Sequence, residues 1–316
     1  MQGVILAAGK GSRLQPITLT RSKAMLPILG KPIVERVMEH LAVNGVKDFI
    51  LVVSPDDFQI TRYFRRESEL QAEIRFVYQP KRLGMADALR WAAPLITDDF
   101  ILSACDNLVS AEHVGRMIAA WEESPSPNGL LTLMPVKPEG SGSTGIVEMA
   151  GPWVTRIVEK PRAEEAPSSI SSLPLYCLSR RILDYLPEVP RSPRGEYELQ
   201  DAIQMLIDRE GRVGGVMCDS RLTLTSPADL LAINRQYLMS GDNRPQFAPS
   251  AVGPNTQLVP PLHIESGTTI GANCVIGPNV YVERDCRIGK GVTIRNAVLL
   301  REAIVPDGTT VVDQVV

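Results

Sequence analysis

Two different periods of hydrophobic and polar residues divide the chain, and the change falls near residue 240. Before it, short apolar runs typical of buried strands alternate with segments whose apolar residues recur at helical spacing. We predict strands over residues 4–6, 49–53, 74–78, 100–104 and 130–134, and helices over residues 33–41, 85–93 and 111–121. This alternation favours an α/β domain over residues 1–240, with a mostly parallel sheet covered on both faces.

Beyond residue 240 the pattern changes to an aliphatic residue at every sixth position. A polar stretch rich in Gly, Asp, Asn and Pro comes first, and we predict a linker over residues 241–251. The aliphatic series is Val252, Leu258, Ile264, Ile270, Ile276, Val282, Ile288, Ile294 and Leu300. Neither a helical nor a two-residue strand period explains it, whereas a six-residue period is typical of a parallel β-helix. We therefore predict a β-helix of about three coils over residues 252–316.

Composition narrows the class of protein. The chain has 316 residues, 44% of them hydrophobic, and a net charge of −3, which gives no reason to expect nucleic acid or membrane as a partner. Its five cysteines are widely spaced and odd in number, as expected for free thiols in a reducing compartment. Since the first strand starts close to Met1, we expect no cleavable leader and a cytoplasmic protein.

The loop after the first strand predicts phosphate binding. Gly9 and Gly11 let backbone N–H groups approach an anion, and Arg13 supplies a fixed positive charge. The loop lacks the Lys-Ser/Thr pair of a Walker A motif and the third glycine of a dinucleotide fingerprint. The alternative is a glycine turn beside an incidental surface arginine.

Residues 6–27 resemble the signature of the sugar-1-phosphate nucleotidyltransferases, Leu-Ala-Ala-Gly-x-Gly-Ser/Thr-Arg-Leu followed by Pro-Lys-Pro. Ser22 and Ala24 replace the two prolines around Lys23. The resemblance implies a Rossmann-like three-layer domain, a left-handed β-helix, and catalytic roles for Arg13 and Lys23. It also implies a set of nucleotide-binding residues in the loop, namely Leu6, Ala7, Gly9, Gly11, Ser12 and Arg13.

Two further segments resemble the nucleotide side of the family's site. Gln79, with Gly84 after it, stands where relatives read the base, and an amide there goes with dTTP or UTP. Asp106 stands at the family's metal-binding aspartate, which implies a Mg²⁺ cofactor, although Cys105 replaces the glycine before it. The alternatives are a polar turn before a helix for Gln79 and a helix cap for Asp106.

The sugar side of the site is implied by Gly145, Glu159, Lys160 and Tyr176. In the family the glutamate holds sugar hydroxyls and the lysine binds the sugar phosphate, which makes Lys160 a third catalytic cation. Pro174 stands where relatives have glycine. The sugar phosphate found most often in relatives of this kind is glucose 1-phosphate.

One departure concerns the metal. Thr223 replaces the family's second metal-binding aspartate, and Asp219 is four residues away, about 13 Å along an extended strand. Mg²⁺ often binds through one or two carboxylates, with phosphates and waters completing its octahedron, so Asp106 alone can suffice.

The predicted reaction is attack of a sugar 1-phosphate on a nucleoside triphosphate, with release of pyrophosphate. The nucleophile is already an anion, so no general base is needed, and His40, His113 and His263 are interpreted as structural or exposed. An alternative is a catalytically weakened relative that binds nucleotide and regulates. A third possibility, an acyltransferase site in the β-helix, is disfavoured by its few coils and single histidine. We expect that region to serve homo-oligomerisation or regulation.

Overall fold

The computed structural model describes residues 1–240 and 251–316. The linker predicted over residues 241–251 lies outside the described residues, except for Ala251. The helices are α1 (Ile33–Ala42), α2 (Phe58–Arg66), α3 (Met85–Ala92), α4 (Ala111–Glu123), α5 (Ile182–Tyr185), α6 (Leu199–Glu210) and α7 (Pro227–Met239).

The strands up to residue 240 are β1 (Gln2–Leu6), β2 (Pro27–Ile28), β3 (Lys31–Pro32), β4 (Asp48–Val53), β5 (Glu73–Tyr78), β6 (Phe100–Ala104), β7 (Asn107–Leu108), β8 (Gly129–Pro135), β9 (Gly145–Ala150), β10 (Trp153–Glu159), β11 (Ile170–Leu178), β12 (Val213–Met217) and β13 (Leu222–Thr223). Those after it are β14 (Ala251–Val252), β15 (Gln257–Leu258), β16 (Leu262–Ile264), β17 (Thr269–Ile270), β18 (Val275–Ile276), β19 (Val280–Val282), β20 (Arg287–Ile288), β21 (Thr293–Arg295), β22 (Ala297–Leu299), β23 (Ile304–Val305) and β24 (Thr310–Val312).

The chain forms two compact units, and each unit is made of two segments that are separate in the sequence. One, which we call the sheet unit, comprises Met1–Lys10 and Val34–Arg221. The other, the repeat unit, comprises the described residues of Gly11–Ile33 and Leu222–Val316. The boundary between the units therefore crosses the glycine loop, between Lys10 and Gly11.

The sheet unit is built on nine strands in the order β5-β4-β1-β6-β11-β8-β12-β10-β9. β1 is buried along its whole length and runs parallel to β4 and β6. β11 is antiparallel to both β6 and β8, so β8 and the parallel β12 run in the direction of β6. The carboxyl ends of β1, β4, β6, β8 and β12 consequently meet at one edge, where ligands of such sheets bind.

Helices cover both faces of this sheet. Tyr176 and Leu178 of β11 pack in a core cluster with residues of α3 and α6. Cys177, which points to the opposite face, has its Sγ 4.0 Å from the carbonyl oxygen of Met117 in α4. The five strands predicted from sequence lie within β1, β4, β5, β6 and β8, and the arrangement has three layers.

The C-terminal repeat region, residues 251–316, consists of three parallel sheets of short strands. Their orders are β14-β17-β20-β23, β15-β18-β21-β24 and β16-β19-β22. Aliphatic side chains and the thiols of Cys274 and Cys286 fill the core between the sheets. Asn255 and Asn273 occupy equivalent corners with positive φ, and their side chains are hydrogen-bonded over a separation of 18 residues. Asparagine tolerates this left-handed conformation, which explains its recurrence at the corners.

The six-residue register is not kept to its end. Asn279 and Asn296, the next stacked corner pair, are 17 residues apart, one fewer than in the preceding coil. As a result Leu299, and not Leu300, pairs with Val282 and is fully buried. The prediction that the aliphatic series continues unbroken to Leu300 is therefore wrong at its last member, because the turn before β22 is one residue shorter.

Candidate functional site

The beginning of the glycine loop is fixed by the end of β1. Leu6 and Ala7 are buried, and the N–H of Ala7 donates to the carbonyl of Val52 at 2.8 Å. The N–H of Cys105 donates to the carbonyl of Leu6 at 3.1 Å, which brings the residue after it, Asp106, to the same edge of the sheet. Gly9 is exposed, so its backbone can be approached from solvent.

The rest of the loop, in the repeat unit, places two cations around one turn. Gly11 has a φ of 65°, and a 3-10 turn over Ser12–Leu14 follows it. A Cβ atom at Gly11 would stand 2.9 Å from Cβ of Lys23, so only glycine lets the lysine pack against the turn. Leu14 is buried beneath this turn, whereas Ser12 and Arg13 are exposed.

Gln79 lies at the end of β5 and its amide is partly committed. Nε2 donates to the carbonyl of Gly84 at 3.2 Å and to Asp87 Oδ2 at 2.8 Å. Oε1 is therefore the atom able to accept a hydrogen bond, and the N3–H of uracil or thymine is a donor. Gly84, with a φ of 104°, lies so close to Tyr197 that a Cβ would meet its carbonyl oxygen at 2.5 Å.

Arg82 was missed by the sequence reasoning. Its Nε donates to the carbonyl of Ala8 at 2.8 Å, and Nη2 donates to Ser54 Oγ at 3.0 Å. The side chain thus joins the glycine loop to the loop that follows β4. An arginine between Gln79 and Gly84 was the available signal.

Asp106 is partly buried just after β6, and a partly buried cation is nearby. Arg221, three residues after the buried Cys218, is also missing from the sequence-based site. Burial lowers the pKa of Arg221, and the carboxylate of Asp106 acts in the opposite direction. Asp219, considered as a replacement for the missing aspartate, instead points to solvent and accepts from Arg116 Nη2 at 2.8 Å.

In the described part of the chain, no group of three or more His, Cys, Asp or Glu side chains is arranged to hold a metal ion. Asp106 is therefore not part of a three-ligand site among the described residues, and it fits Mg²⁺ as the one carboxylate that the family resemblance implies. Phosphate oxygens and waters would supply the remaining ligand positions.

The residues predicted to bind the sugar phosphate are brought together by strand pairing. Gly145 of β9 lies opposite Glu159 of β10, and a Cβ at Gly145 would stand 3.3 Å from Oε2 of Glu159. Nζ of Lys160 is 3.0 Å from Oε1 of Glu159. Burial raises the pKa of Glu159, and the ammonium group of Lys160 acts in the opposite direction. The result is a half-enclosed carboxylate beside a cation.

Tyr176 joins this group from β11. Its ring is fully buried, and its hydroxyl accepts from Ser172 Oγ at 3.3 Å. Burial raises the pKa of Tyr176, and the carboxylate of Glu159 adds to that effect. The pairing of β11 with β8 shifts register between Leu173 and Tyr176, so Pro174 falls in a bulge, where its missing N–H breaks no ladder bond.

Arg194 is a further residue that sequence reasoning missed. Its Nη2 is 2.8 Å from Glu198 Oε1 and 3.7 Å from Glu159 Oε1, and Glu198 also accepts from Ser192 Oγ at 2.7 Å. It lies in the segment that leads into α6, directly before Gly195. Two cations, Lys160 and Arg194, therefore flank Glu159.

Two of the three histidines, His40 and His113, have partners outside these groups. His113 is buried, with Nε2 3.0 Å from Thr132 Oγ1, and burial lowers its pKa to about 4. Nδ1 of His40 is 2.7 Å from the carbonyl oxygen of Val109.

Among residues 1–240 and 251–316, no helix has both the length and the apolar character needed to cross a membrane.

Comparison with known proteins identifies the family. The family model described as nucleotidyl transferase matches residues 2–236. The chain belongs to the sugar-1-phosphate nucleotidyltransferase family. A second model, described as GMPPB C-terminal domain, matches residues 258–316.

Two relatives and one solved structure illustrate the likeness. The chain is 32% identical over 240 aligned positions to the bifunctional protein GlmU of Methanococcus maripaludis, in a match that covers 75% of this chain and 54% of that relative. The chain thus spans about half of that protein. It is 27% identical to the low-salt glycan biosynthesis nucleotidyltransferase Agl11 of Haloferax volcanii, over 99% of this chain and 98% of the relative.

The solved structure is a UDP-glucose pyrophosphorylase complexed with UDP-glucose. It matches with a TM-score of 0.69 and 21% identity, over 76% of this chain and 98% of its own. At this identity the likeness concerns the fold. The Rossmann-like nucleotidyltransferase domain expected for this family is confirmed.

Proposed function

We propose that the protein transfers a nucleotidyl group from a nucleoside triphosphate to a sugar 1-phosphate. The observation that supports this best is the assembly of Gly145, Glu159, Lys160 and Arg194, which offers a carboxylate for sugar hydroxyls between two cations for a phosphate. Family membership supports the same reaction class.

In this reaction a phosphate oxygen of the sugar 1-phosphate forms a new bond to the α-phosphorus of the triphosphate. The bond from that phosphorus to the bridging oxygen of pyrophosphate breaks, and pyrophosphate carries away the electron pair. No proton has to be removed, because the attacking oxygen is already anionic. Catalysis then requires alignment of the reacting groups and neutralisation of their charges.

The proposed roles follow from where the cations lie. Arg13, in the turn that follows Gly11, and Lys23, which packs against Gly11, hold the β- and γ-phosphates and stabilise the departing pyrophosphate. Backbone N–H groups from Gly9 to Ser12 contribute donors to the same phosphates. Lys160 neutralises the incoming sugar phosphate, and Glu159 accepts from sugar hydroxyls.

Asp106 is the proposed protein ligand for Mg²⁺. A magnesium ion carried on the phosphates would add neutralising charge where negative charge accumulates. With Thr223 in the position of the second aspartate, we expect the chain to bind this ion more weakly than a relative with two carboxylates.

The proposed substrates are UTP or dTTP and glucose 1-phosphate. The free acceptor atom of Gln79 suits the N3–H of a pyrimidine 2,4-dione, which cytosine lacks. Glucose 1-phosphate is proposed because it is the sugar phosphate most common in relatives of this shape.

For the C-terminal repeat region we propose a left-handed parallel β-helix that supports homo-oligomerisation. Its three parallel sheets and interior aliphatic core support the β-helix part of this proposal. Sedimentation velocity of the full chain tests the assembly: a single monomeric species at micromolar concentration would rule it out.

Thr223 favours a second candidate, a relative that binds nucleotide and regulates without fast turnover. Pyrophosphate release measured with Mg²⁺ over four nucleoside triphosphates and several hexose 1-phosphates, with and without a 2-acetamido group, separates the two. We expect turnover with a uracil or thymine nucleotide and its loss in Arg13→Ala. Nucleotide binding without pyrophosphate release from any pair would favour the regulatory candidate.

A further inference from the structure

The catalytic turn shares a compact unit with the C-terminal repeat region, and a buried ion pair joins them. Nη1 of Arg21 donates to both carboxylate oxygens of Glu283 at 2.9 Å. The two side chains are 16% and 6% exposed, so water screens this pair little. Arg21 lies two residues before Lys23, the cation that packs against Gly11.

The repeat region holds the Glu283 carboxylate in place independently of Arg21. Glu283 directly follows β19, and its Oε2 accepts from the backbone N–H of Arg301 at 2.7 Å. Nε of Arg301 is 3.8 Å from Oε1. The anion is therefore positioned by the next coil of the repeat region, and it presents a fixed docking point to Arg21.

A second set of hydrogen bonds fixes the chain on the far side of Lys23. The N–H of Gly30 donates to the hydroxyl of Tyr281 at 3.2 Å, and that hydroxyl donates to Glu265 Oε1 at 2.5 Å. Asn234 of α7, buried, accepts from the N–H of Leu29 at 3.0 Å and donates to the carbonyl of Pro27 at 3.1 Å. The segment with Lys23 is thus held at both ends.

We propose that Arg21 and Glu283 form a positioning pair that sets the placement of Lys23, and with it the Gly11–Arg13 turn, for binding the triphosphate. This inference rests on the proposed function of that turn. The pair does not touch the reacting atoms; it acts through the backbone between Arg21 and Lys23. The C-terminal repeat region is accordingly part of what makes the nucleotide side of the site.

The pair makes a specific kinetic prediction, because only the nucleotide side depends on it. We expect Glu283→Gln, which keeps the acceptor for the N–H of Arg301, to raise KM for the nucleotide about tenfold. KM for the sugar 1-phosphate should stay unchanged. Arg21→Met should have a similar effect, and the double variant should be no worse than either single variant, since both remove one interaction.

Arg287→Met is the matched control, because it removes an exposed arginine from β20 in the same repeat region. It should leave both KM values at the wild-type level. If Glu283→Gln leaves the nucleotide KM unchanged while Arg21→Met raises it, Arg21 contacts the phosphates directly and the positioning role is wrong.

Hydrogen exchange of the backbone amides in residues 11–33 tests the pair apart from turnover. We expect faster exchange there in Glu283→Gln than in wild type or Arg287→Met, when the proteins are compared under conditions of equal overall stability. An unchanged exchange rate would overturn the positioning pair, whatever the activity. If the wild-type protein shows no turnover while Glu283→Gln still exchanges faster than wild type, the proposed function is wrong and the positioning pair stands.

Discussion

The sheet unit and the C-terminal repeat region obtain their strand neighbours in opposite ways. In the sheet unit, β1 pairs with β4 and β6, so Val4 lies between Ile50 and Leu102. In the repeat region each strand pairs with the equivalent strand of the next coil, 18 or 17 residues further along. The first arrangement brings segments that are distant in sequence to one edge of the sheet, where the candidate site residues lie. The second repeats the same pairing between equivalent short strands.

This difference predicts how each region responds to change. Stability in a repeat is approximately a sum of local contributions, so the loss of one core side chain acts on its own coil and the neighbours. In the sheet unit, the groups around Glu159 come from β9, β10 and the segment before α6, so one side chain affects a site assembled from several segments.

The largest effect is expected in the sheet unit. Lys160→Ala should lower kcat by on the order of a hundredfold, because it removes a cation from the incoming phosphate and leaves Arg194 as the cation beside Glu159 in the described part of the chain. Steady-state pyrophosphate release measures this, with the exposed Lys47→Ala as control. Near wild-type turnover of Lys160→Ala would refute the proposed role.

In the repeat region the sharpest test compares two adjacent leucines. Leu299→Ala should lower the free energy of unfolding by about 3 kcal/mol, since it leaves a cavity in a closed core. Leu300→Ala, at a partly exposed position, should cost about 1 kcal/mol. Urea unfolding of both variants measures the difference. The reverse order would mean that the six-residue register continues through β22.

Acid should act on the sheet unit through His113. Its pKa is lowered to about 4 from 6.5, so between these values the unfolded chain binds the proton more readily. The stability due to the neutral ring is present above pH 6.5 and is lost as the pH falls towards 4, by roughly 2 kcal/mol. Urea unfolding at pH 7.5 and 4.5 should show a smaller loss in His113→Gln, in which an amide can still reach Thr132. Equal losses in both proteins would argue against a buried neutral ring.

The smallest expected effect concerns Arg221. Its guanidinium lies near the carboxylate of Asp106 and repels a second cation, so Arg221→Met should lower the Mg²⁺ concentration for half-maximal activity by about fivefold. A magnesium titration of pyrophosphate release measures this, with the exposed Arg62→Met as control. An unchanged or higher Mg²⁺ requirement would place Arg221 away from the ion.

The same contrast between local and long-range pairing separates what the sequence could predict from what it could not. Local periods located five strands of the sheet and the aliphatic core of the repeat region, because burial requires those spacings. The sequence did not reveal that the turn before β22 is one residue shorter. A single deletion in a turn changes the aliphatic series only after that turn, and only the last member, Leu300, follows it.

In the site, family motifs indicated Gly145, Glu159 and Lys160, which strand pairing then brought together. They did not indicate Arg194 or Arg221, and the position of Arg82 between two motif residues was the one signal for it, because these side chains reach their partners only through the folded chain. A guanidinium on a long side chain can be supplied from many positions, so its place in a site is poorly marked in sequence.

The position of the boundary between the two units, inside the glycine loop, has a consequence for protein engineering. A chimera in which a relative supplies everything after residue 240 would exchange one complete domain, as judged from the sequence alone. It would nevertheless replace Glu283 and Tyr281, the partners of Arg21 and Gly30, so the native loop would contact residues from the relative. Functional hybrids should therefore require residues 11–33 to travel with the C-terminal part, as one inherited block.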